Sequence, residues 1–311
     1  MRSPDLLRAK LNLKVEVPLH VSGLWFPVTK CSLINSGSLG AGVNLEIKLI
    51  AQPLYGDRQT IILNDKEFFT EHYGYILRNT GSRPVGVYAE TPMRPGAGFA
   101  VSSAASIATA IILQIISGIR KTIEKMLWPA HEAEIMMSTG LGDVLAEYSG
   151  GAEIRVRPGA PGIGLVEHIP FDSSYRIVVA DLGLSLGTPK MLSEITEKEY
   201  GYARSLYSSL LKEPSIEDLF SYSNMFTRKI FDYSVVDDIL SPVRRLVQGY
   251  YLKKSALVIL VDKRDVETVA EHLFSKGLKP VITKISMEGV RVVYSREPPE
   301  KRESIDKREN S

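Results

Sequence analysis

The sequence predicts an α/β (α+β) protein of two domains, and three observations carry that prediction. Its 311 residues are 44% hydrophobic and 24% charged, a globular composition at a length that builds two cores or one large one. Short apolar runs rich in β-branched residues, bounded by glycine and proline, alternate with longer helical stretches along the chain. Between residues 256 and 294 the order strand, helix, strand, strand resembles half of a ferredoxin-like unit.

Taken in order, Val15 to Val17 before Pro18 reads as a short strand. Ala41 to Ile50 and Gln59 to Leu63 are β-rich, with turn signals at Tyr55-Gly56-Asp57 and Asn64-Asp65. Gly86 to Glu90 is another short strand. The stretch Gly98 to Ile119 is long and apolar but carries Ser102, Ser103, Ser106, Thr109, Gln114 and Ser117. It opens on a glycine-rich turn, so it reads as a buried helix rather than a membrane span, which needs ~20 predominantly apolar residues. Pro129 opens a second helix that stops at Thr139-Gly140; proline there sacrifices no hydrogen bond, because a first-turn N–H has no partner. Ala152 to Val156 is a strand, and PGAPGIG, Pro158 to Gly164, is a loop. Ile177 to Ala180 is a short buried strand, and Thr188 to Lys253 reads as helical. Ala256 to Val261 is an apolar strand, Asp265 to Lys276 an amphipathic helix, and Val281 to Ile285 and Gly289 to Tyr294 are strands. Residues 296–311 are charged, hold two prolines and have almost nothing to bury, the signature of a disordered tail. The expected domains are residues 1–170 and 171–295, with the junction near 165 to 190.

Composition removes several function classes. The net charge of +2 offers no basic stripe for nucleic acid. The single cysteine, Cys31, permits neither an intrachain disulfide nor a cysteine metal cluster, and fits a reducing cytoplasm. The first fifteen residues lack the apolar core of a signal peptide, and no membrane association is expected. A homodimer is compatible with everything above.

Two constellations carry chemistry. PGAGFAVSSA, residues 95–104, runs straight into the long helix. Glycines let a backbone approach a ligand closely, and a helix start leaves unpaired N–H groups and partial positive charge. Pro95, Gly96 and Gly98 with Ser102 and Ser103 thus make a phosphate site; equally, they make a tight turn with serine caps before a core helix. The Lys-Ser/Thr pair of a P-loop is absent. In the second constellation, Glu134 and Asp143 are separated by a helix end and the glycines at 140 and 142. One carboxylate can hold magnesium beside phosphate oxygens and the other can take a proton from an attacking hydroxyl. The alternative is a solvated acidic face and an aspartate serving a turn.

Residues 95–104 resemble the motif P-x-x-x-G-L/F-x-S-S-A with which GHMP kinases wrap nucleotide phosphates, at a spacing longer by one. The string TGLGDVLAEYSGGAEIRVRPGAPGIG, residues 139–164, and SGSLGAGVNL, residues 36–45, closely resemble blocks of the archaeal pantoate kinases within that superfamily. The resemblance implies a GHMP kinase fold, with a ribosomal protein S5 domain 2-like N-terminal domain and a ferredoxin-like C-terminal domain. It implies ATP and Mg2+ as cofactors and phosphorylation of pantoate to 4-phosphopantoate on a route toward coenzyme A. By the same match Asp143 is the catalytic base, Glu134 and Ser102 hold the metal, and His20, Ser38, His131 and Arg155 contact substrate. Arg155 suits a carboxylate, which guanidinium can grip through two parallel hydrogen bonds. The family's third motif, S-M-A-M-x-G-x-x-V-F, finds its best candidate at Ser223 to Phe231, with Thr227 in the glycine's place. A GHMP kinase for a homoserine- or mevalonate-like alcohol, and a catalytically silent metabolite-binding protein on the same fold, are the competing readings.

Overall fold

In a computed structural model of the chain, residues 11–184 and 195–296 are described; the tail expected over 296–311 lies, but for its first residue, outside them. Two sheets organise the molecule. The first has the order β12-β1-β2-β5-β3-β4: β1 (Leu11–Val28), β2 (Gly37–Leu54), β3 (Ile61–Leu63), β4 (Lys66–Phe68), β5 (Gly86–Glu90) and β12 (Arg291–Arg296). Near its start β2 also pairs with β6 (Ala152–Arg157), which in turn pairs with β7 (Leu165–His168). The second sheet has the order β11-β8-β10-β9, all antiparallel, from β8 (Tyr175–Asp181), β9 (Val247–Lys253), β10 (Ala256–Asp262) and β11 (Val281–Thr283).

The central hairpin of the first sheet explains how the site is held. β1 starts with the alternation of a half-covered strand: Leu13, Val15 and Val17 are buried, Asn12 and Lys14 exposed. From Val17 onward both faces are covered, because helices close one side and the site is built on the other. The sequence reading stopped this strand at Pro18, yet β1 continues to Val28. Pairing with β2 shifts register between Pro18 and Leu19 and again between Ser22 and Leu24. Such bulges absorb a residue without an N–H and a glycine that would otherwise break a ladder.

Helices α1 (Thr70–Thr80), α2 (Val101–Ile116), α3 (Ile123–Met126), α4 (Trp128–Met136) and α5 (Asp143–Ser149) belong to the first unit. The α2 helix is the long apolar one; it is buried nearly all round against α1, α4, β1 and β2, as a helix without a polar face must be. No helix among the described residues is long and apolar enough to cross a membrane. Helices α6 (Glu197–Lys212), α7 (Ile216–Thr227), α8 (Ser234–Leu240) and α9 (Val266–Ser275) follow. Of these, α7 packs on both β9 and β1, joining the two sheets. Trp25 meets Phe226 edge-on at 4.8 Å between ring centroids, and Phe220 meets Tyr251 at 5.1 Å.

Three element assignments change. The helical reading up to Lys253 holds only to Leu240; a 3-10 turn follows and VQGYYLK is strand β9, fixed by its pairing with β10. The strand expected at Gly289 to Tyr294 is β12, and it leaves the ferredoxin-like pattern to pair with β1 of the first sheet. Helix α1, unexpected from TEHYGYILRNT, is short of apolar residues and enters from Phe69 in left-handed backbone.

Candidate active site

The glycine loop lies between β5 and α2, and its two glycines do different work. Gly96 has φ +82° and a Cβ added there would meet nothing within 4 Å, on the side that opens to a cleft of about 310 Å3. Gly98 has φ +114°, and its Cβ would lie 2.1 Å from the Lys253 carbonyl oxygen. Gly98 therefore seats a neighbouring hairpin on one side while it lines the same cleft on the other. Ala100 takes left-handed backbone, φ 54°, at the start of α2, and no side chain caps the helix. The first N–H groups of α2 are thus left for a ligand at the cleft.

The two serines diverge. Ser102 lines the cleft and its Oγ donates to Glu134 Oε2 at 3.1 Å. Ser103 is fully buried, 2.9 Å from the Ala100 carbonyl and 2.5 Å from Glu147 Oε2. Burial pushes the Glu147 carboxyl well above its ordinary range. The Ser103 hydroxyl lies between Glu147 and the carbonyl of the left-handed Ala100 and ties the two together. Ser103 is part of the frame beneath the loop.

Glu134 and Asp143 converge as the spacing suggested. A Cβ at Gly140 would fall 2.7 Å from Glu134 Oε2 and 2.9 Å from Asp143 Oδ2, so the bare backbone there lets both carboxylates face one point. On the far side Glu134 Oε1 lies 3.2 Å from His72 Nε2. Asp143 Oδ1 receives His20 Nδ1 at 3.2 Å and Ser22 Oγ at 3.4 Å, and Oδ2 faces Gly140. Against the cost of burial, the hydrogen bond from His20 and its charge, with the fields of Lys253 and Arg155, hold the Asp143 carboxyl below its ordinary value.

Behind Asp143 runs a buried relay. His20 Nε2 meets Glu153 Oε1 at 3.0 Å, and Arg155 pairs with the same oxygen. Burial pulls the His20 imidazole down, but hydrogen bonds to Asp143 and Glu153 outweigh it, and its pKa is raised. His20 is charged when it donates from both ring nitrogens, one to each acid.

The substrate contacts inferred from the resemblance separate. Ser38 lines the cleft. His20 does not reach it but touches Asp143. Arg155 is fully buried behind Gly142, with one Nη on Glu153, the other 3.3 Å from Ser22 Oγ, and its Nε left without a partner among the described residues, against Gly142 where Ser38 Oγ also stands. His131 is buried and donates from Nε2 to the Ser36 carbonyl at 2.9 Å, pinning the β1–β2 connection, and burial lowers its pKa. It is a packing residue, not a contact. Pro95 is half-buried and shapes the loop without lining the cleft.

The cationic side chains among the described lining residues are Lys253 and Lys254, at the turn between β9 and β10. Lys253 Nζ lies 3.0 Å from the Trp25 ring centroid, a cation–π contact. Sequence reasoning missed both. It set the third motif on Ser223 to Phe231, which is largely the end of α7, with Ser223 and Thr227 buried in the core. Lys254 itself sits in left-handed backbone, φ 56°, a conformation that a lysine in the sequence does not announce.

Among the described residues no group of three or more histidine, cysteine or acidic side chains could hold a metal by itself. Ser102 Oγ on the cleft wall and Glu134 Oε2 buried 3.1 Å behind it do fit a magnesium ion that takes its remaining ligands from phosphate and water, the usual arrangement for this cation.

No family model matches the chain. The chain has the GHMP kinase fold: a homoserine kinase from Cytophaga hutchinsonii superposes with a TM-score of 0.63 at 14% identity, covering 94% of this chain and 99% of that one. Within that class, the sequence is similar to the archaeal pantoate kinases. It is 28% identical over 263 residues to the pantoate kinase of Thermococcus kodakarensis, spanning 80% of this chain and 85% of that protein. It is 27% identical over 216 residues to that of Methanocaldococcus jannaschii, spanning 67% and 77%. A solved phosphotransferase related to the CoA biosynthesis pathway superposes with a TM-score of 0.78 at 26% identity, covering 91% and 99%.

Proposed function

We propose that this chain is an ATP-dependent pantoate kinase, a cytoplasmic enzyme that converts (R)-pantoate to 4-phosphopantoate on the archaeal route to coenzyme A. The observation that carries the reading is the meeting of the glycine loop, Glu134 and Asp143 around one cleft, in a chain similar to pantoate kinases. The loop and the open start of α2 bind the phosphates of ATP through backbone N–H groups. Ser102 and Glu134 are the residues that would hold Mg2+, which neutralises charge on phosphate oxygens when bound. The primary hydroxyl of pantoate attacks the γ-phosphorus, the bond to the ADP oxygen breaks, and the hydroxyl proton passes to Asp143 Oδ2. A carboxylate of low basicity suffices, because bond formation lags bond breaking in a loose phosphoryl transfer and most of the catalysis is positioning and charge. His20 and Ser22 orient Asp143 through Oδ1, and Glu153 with Arg155 hold His20. The substrate carboxylate lies near Ser38 and Lys253 on the cleft wall, with Arg155 Nε behind Gly142. Burial keeps the Lys253 ammonium well below its usual pKa; an arriving carboxylate favours the charged form and offsets that.

The test is ADP release over a panel of hydroxy acids, amino alcohols and sugars. Turnover dependent on pantoate, with homoserine and mevalonate poor, is expected. Turnover of another alcohol at higher kcat/KM would replace the substrate assignment.

A further inference from the structure

We propose that Lys254 is a catalytic residue that recognises the γ-phosphoryl group, carried into the site on the β9–β10 turn of the second sheet. The inference rests on the ATP-dependent reading above and adds a residue to it.

The turn is fixed against the glycine loop. Ser255 N–H donates to the Ala97 carbonyl at 3.1 Å, and Gly98 leaves room for the Lys253 carbonyl. Arg94 from the loop reaches Ser255 Oγ at 3.1 Å and Asp181 Oδ2 at 2.8 Å. A side chain on this turn is therefore positioned relative to the phosphate loop. Lys254 lines the same cleft as Gly96, Ser102 and Asp143. Asp143 and Glu134 are the acids whose fields reach it, offsetting the burial that lowers its pKa. A lysine on the wall that also carries the loop, Ser102 and the base stands where the transferred group must pass.

The backbone makes the same point. Lys254 holds φ 56°, left-handed backbone that strains an L-residue with a Cβ and that glycine adopts freely. Glycine would suit the turn better, and lysine brings a charge that glycine lacks. The glycine loop has no P-loop lysine, so an ammonium from elsewhere supplies what that lysine does in other nucleotide sites.

The experiment compares wild type with Lys254→Gly. Calorimetry measures ATP and ADP affinity, which needs no acceptor and so stands whether or not pantoate is the substrate. Wild type is expected to bind ATP more tightly than ADP, and Lys254→Gly to lose about tenfold to a hundredfold on ATP, the scale of one charge-assisted hydrogen bond, with ADP unchanged. The thermal midpoint of the variant is expected to stay or rise, because glycine relieves the left-handed backbone. Turnover on the best acceptor should fall about 10²-fold. Equal ATP affinity in the two proteins, or parallel losses for ATP and ADP with a lowered midpoint, would overturn the assignment. Absence of pantoate turnover in wild type would instead count against the substrate proposed above.

Discussion

Substituting alanine at Gly96 and at Gly98 separates the ligand face of the loop from its packing face. Both residues have positive φ, +82° and +114°, so each alanine carries a backbone cost of roughly 1–2 kcal/mol. At Gly96 nothing further is added, because the new Cβ meets no atom within 4 Å. At Gly98 the Cβ lies 2.1 Å from the Lys253 oxygen, 3.0 Å from its carbon and 3.3 Å from Ala256 Cβ. The hairpin must retreat by more than 1 Å for ordinary contact, against the Ser255–Ala97 hydrogen bond and the Arg94–Asp181 pair. Overpacking of this kind costs roughly 1–3 kcal/mol, so Gly98→Ala should lose about 2–5 kcal/mol in total. At roughly 2–4 °C per kcal/mol for a large domain, Gly96→Ala melts a few degrees low and Gly98→Ala far lower. Differential scanning calorimetry reads these, and titration calorimetry reads ATP binding. Gly96→Ala should remain folded and bind ATP at least tenfold more weakly, its methyl standing where the phosphates approach. Normal ATP binding by Gly96→Ala would show that the loop does not hold phosphate; an unchanged midpoint for Gly98→Ala would show that the hairpin is not seated there.

Asp143→Asn keeps the shape of the side chain and removes the base; kcat should fall by roughly 10²–10⁴-fold with ATP affinity retained, and near-normal turnover would exclude Asp143 from proton transfer. Ser102→Ala and Glu134→Gln should raise the magnesium concentration for half-maximal activity, whereas Ser103→Ala should leave it unchanged and lower the melting temperature, which activity titrations against Mg2+ with parallel melts can check. Glu147 has a raised folded-state pKa, so its contribution to stability is fully present below the unfolded value of about 4.3 and is lost as pH rises through the folded value. Glu147→Gln, whose amide oxygen can still accept from Ser103 and which cannot ionise, should flatten that decline and exceed wild type in denaturant midpoint at neutral and alkaline pH; parallel pH profiles would refute it. Asp143, with its lowered pKa, acts in the opposite sense, its contribution being present above about 3.9 and lost on acidification.

The parts of this site that sequence made legible are those where backbone chemistry dictates position. Glycines at 96 and 140, a helix start at Val101 and serines within its first turn left few places for Ser102, Glu134 and Asp143 to go. The turn at Asn64-Asp65 was readable for the same reason: both residues adopt positive φ, 46° and 64°, between β3 and β4. What the sequence concealed was set by tertiary partners. His131 and Arg155 have the chemistry of ligand contacts, but His131 is held by Ser36 and Arg155 by Ser22, partners far away along the chain, with Glu153 beside Arg155 on the same strand. In β9, VQGYYLK follows helices closely and shows no clean alternation; its pairing with β10 decides it. Gly98 reads as a phosphate glycine, and its further duty, leaving room for the Lys253 carbonyl from the second sheet, shows only in the fold.

Strand β12 has a consequence for how the chain is made. Residues Arg291–Arg296 pair with residues 11–16 of β1, partners 275 to 285 positions apart. At roughly 5–20 residues per second a ribosome needs on the order of 15–55 s to traverse that distance. Throughout that interval the outer border of β1, with Leu13 and Val15 pointing inward, has an unpaired backbone ladder. An open strand border of this kind recruits other chains, so the nascent protein passes through a window of self-association that closes only when its last strand emerges. A ribosome-bound chain arrested before Arg291 should accordingly need chaperone cover that the released protein does not.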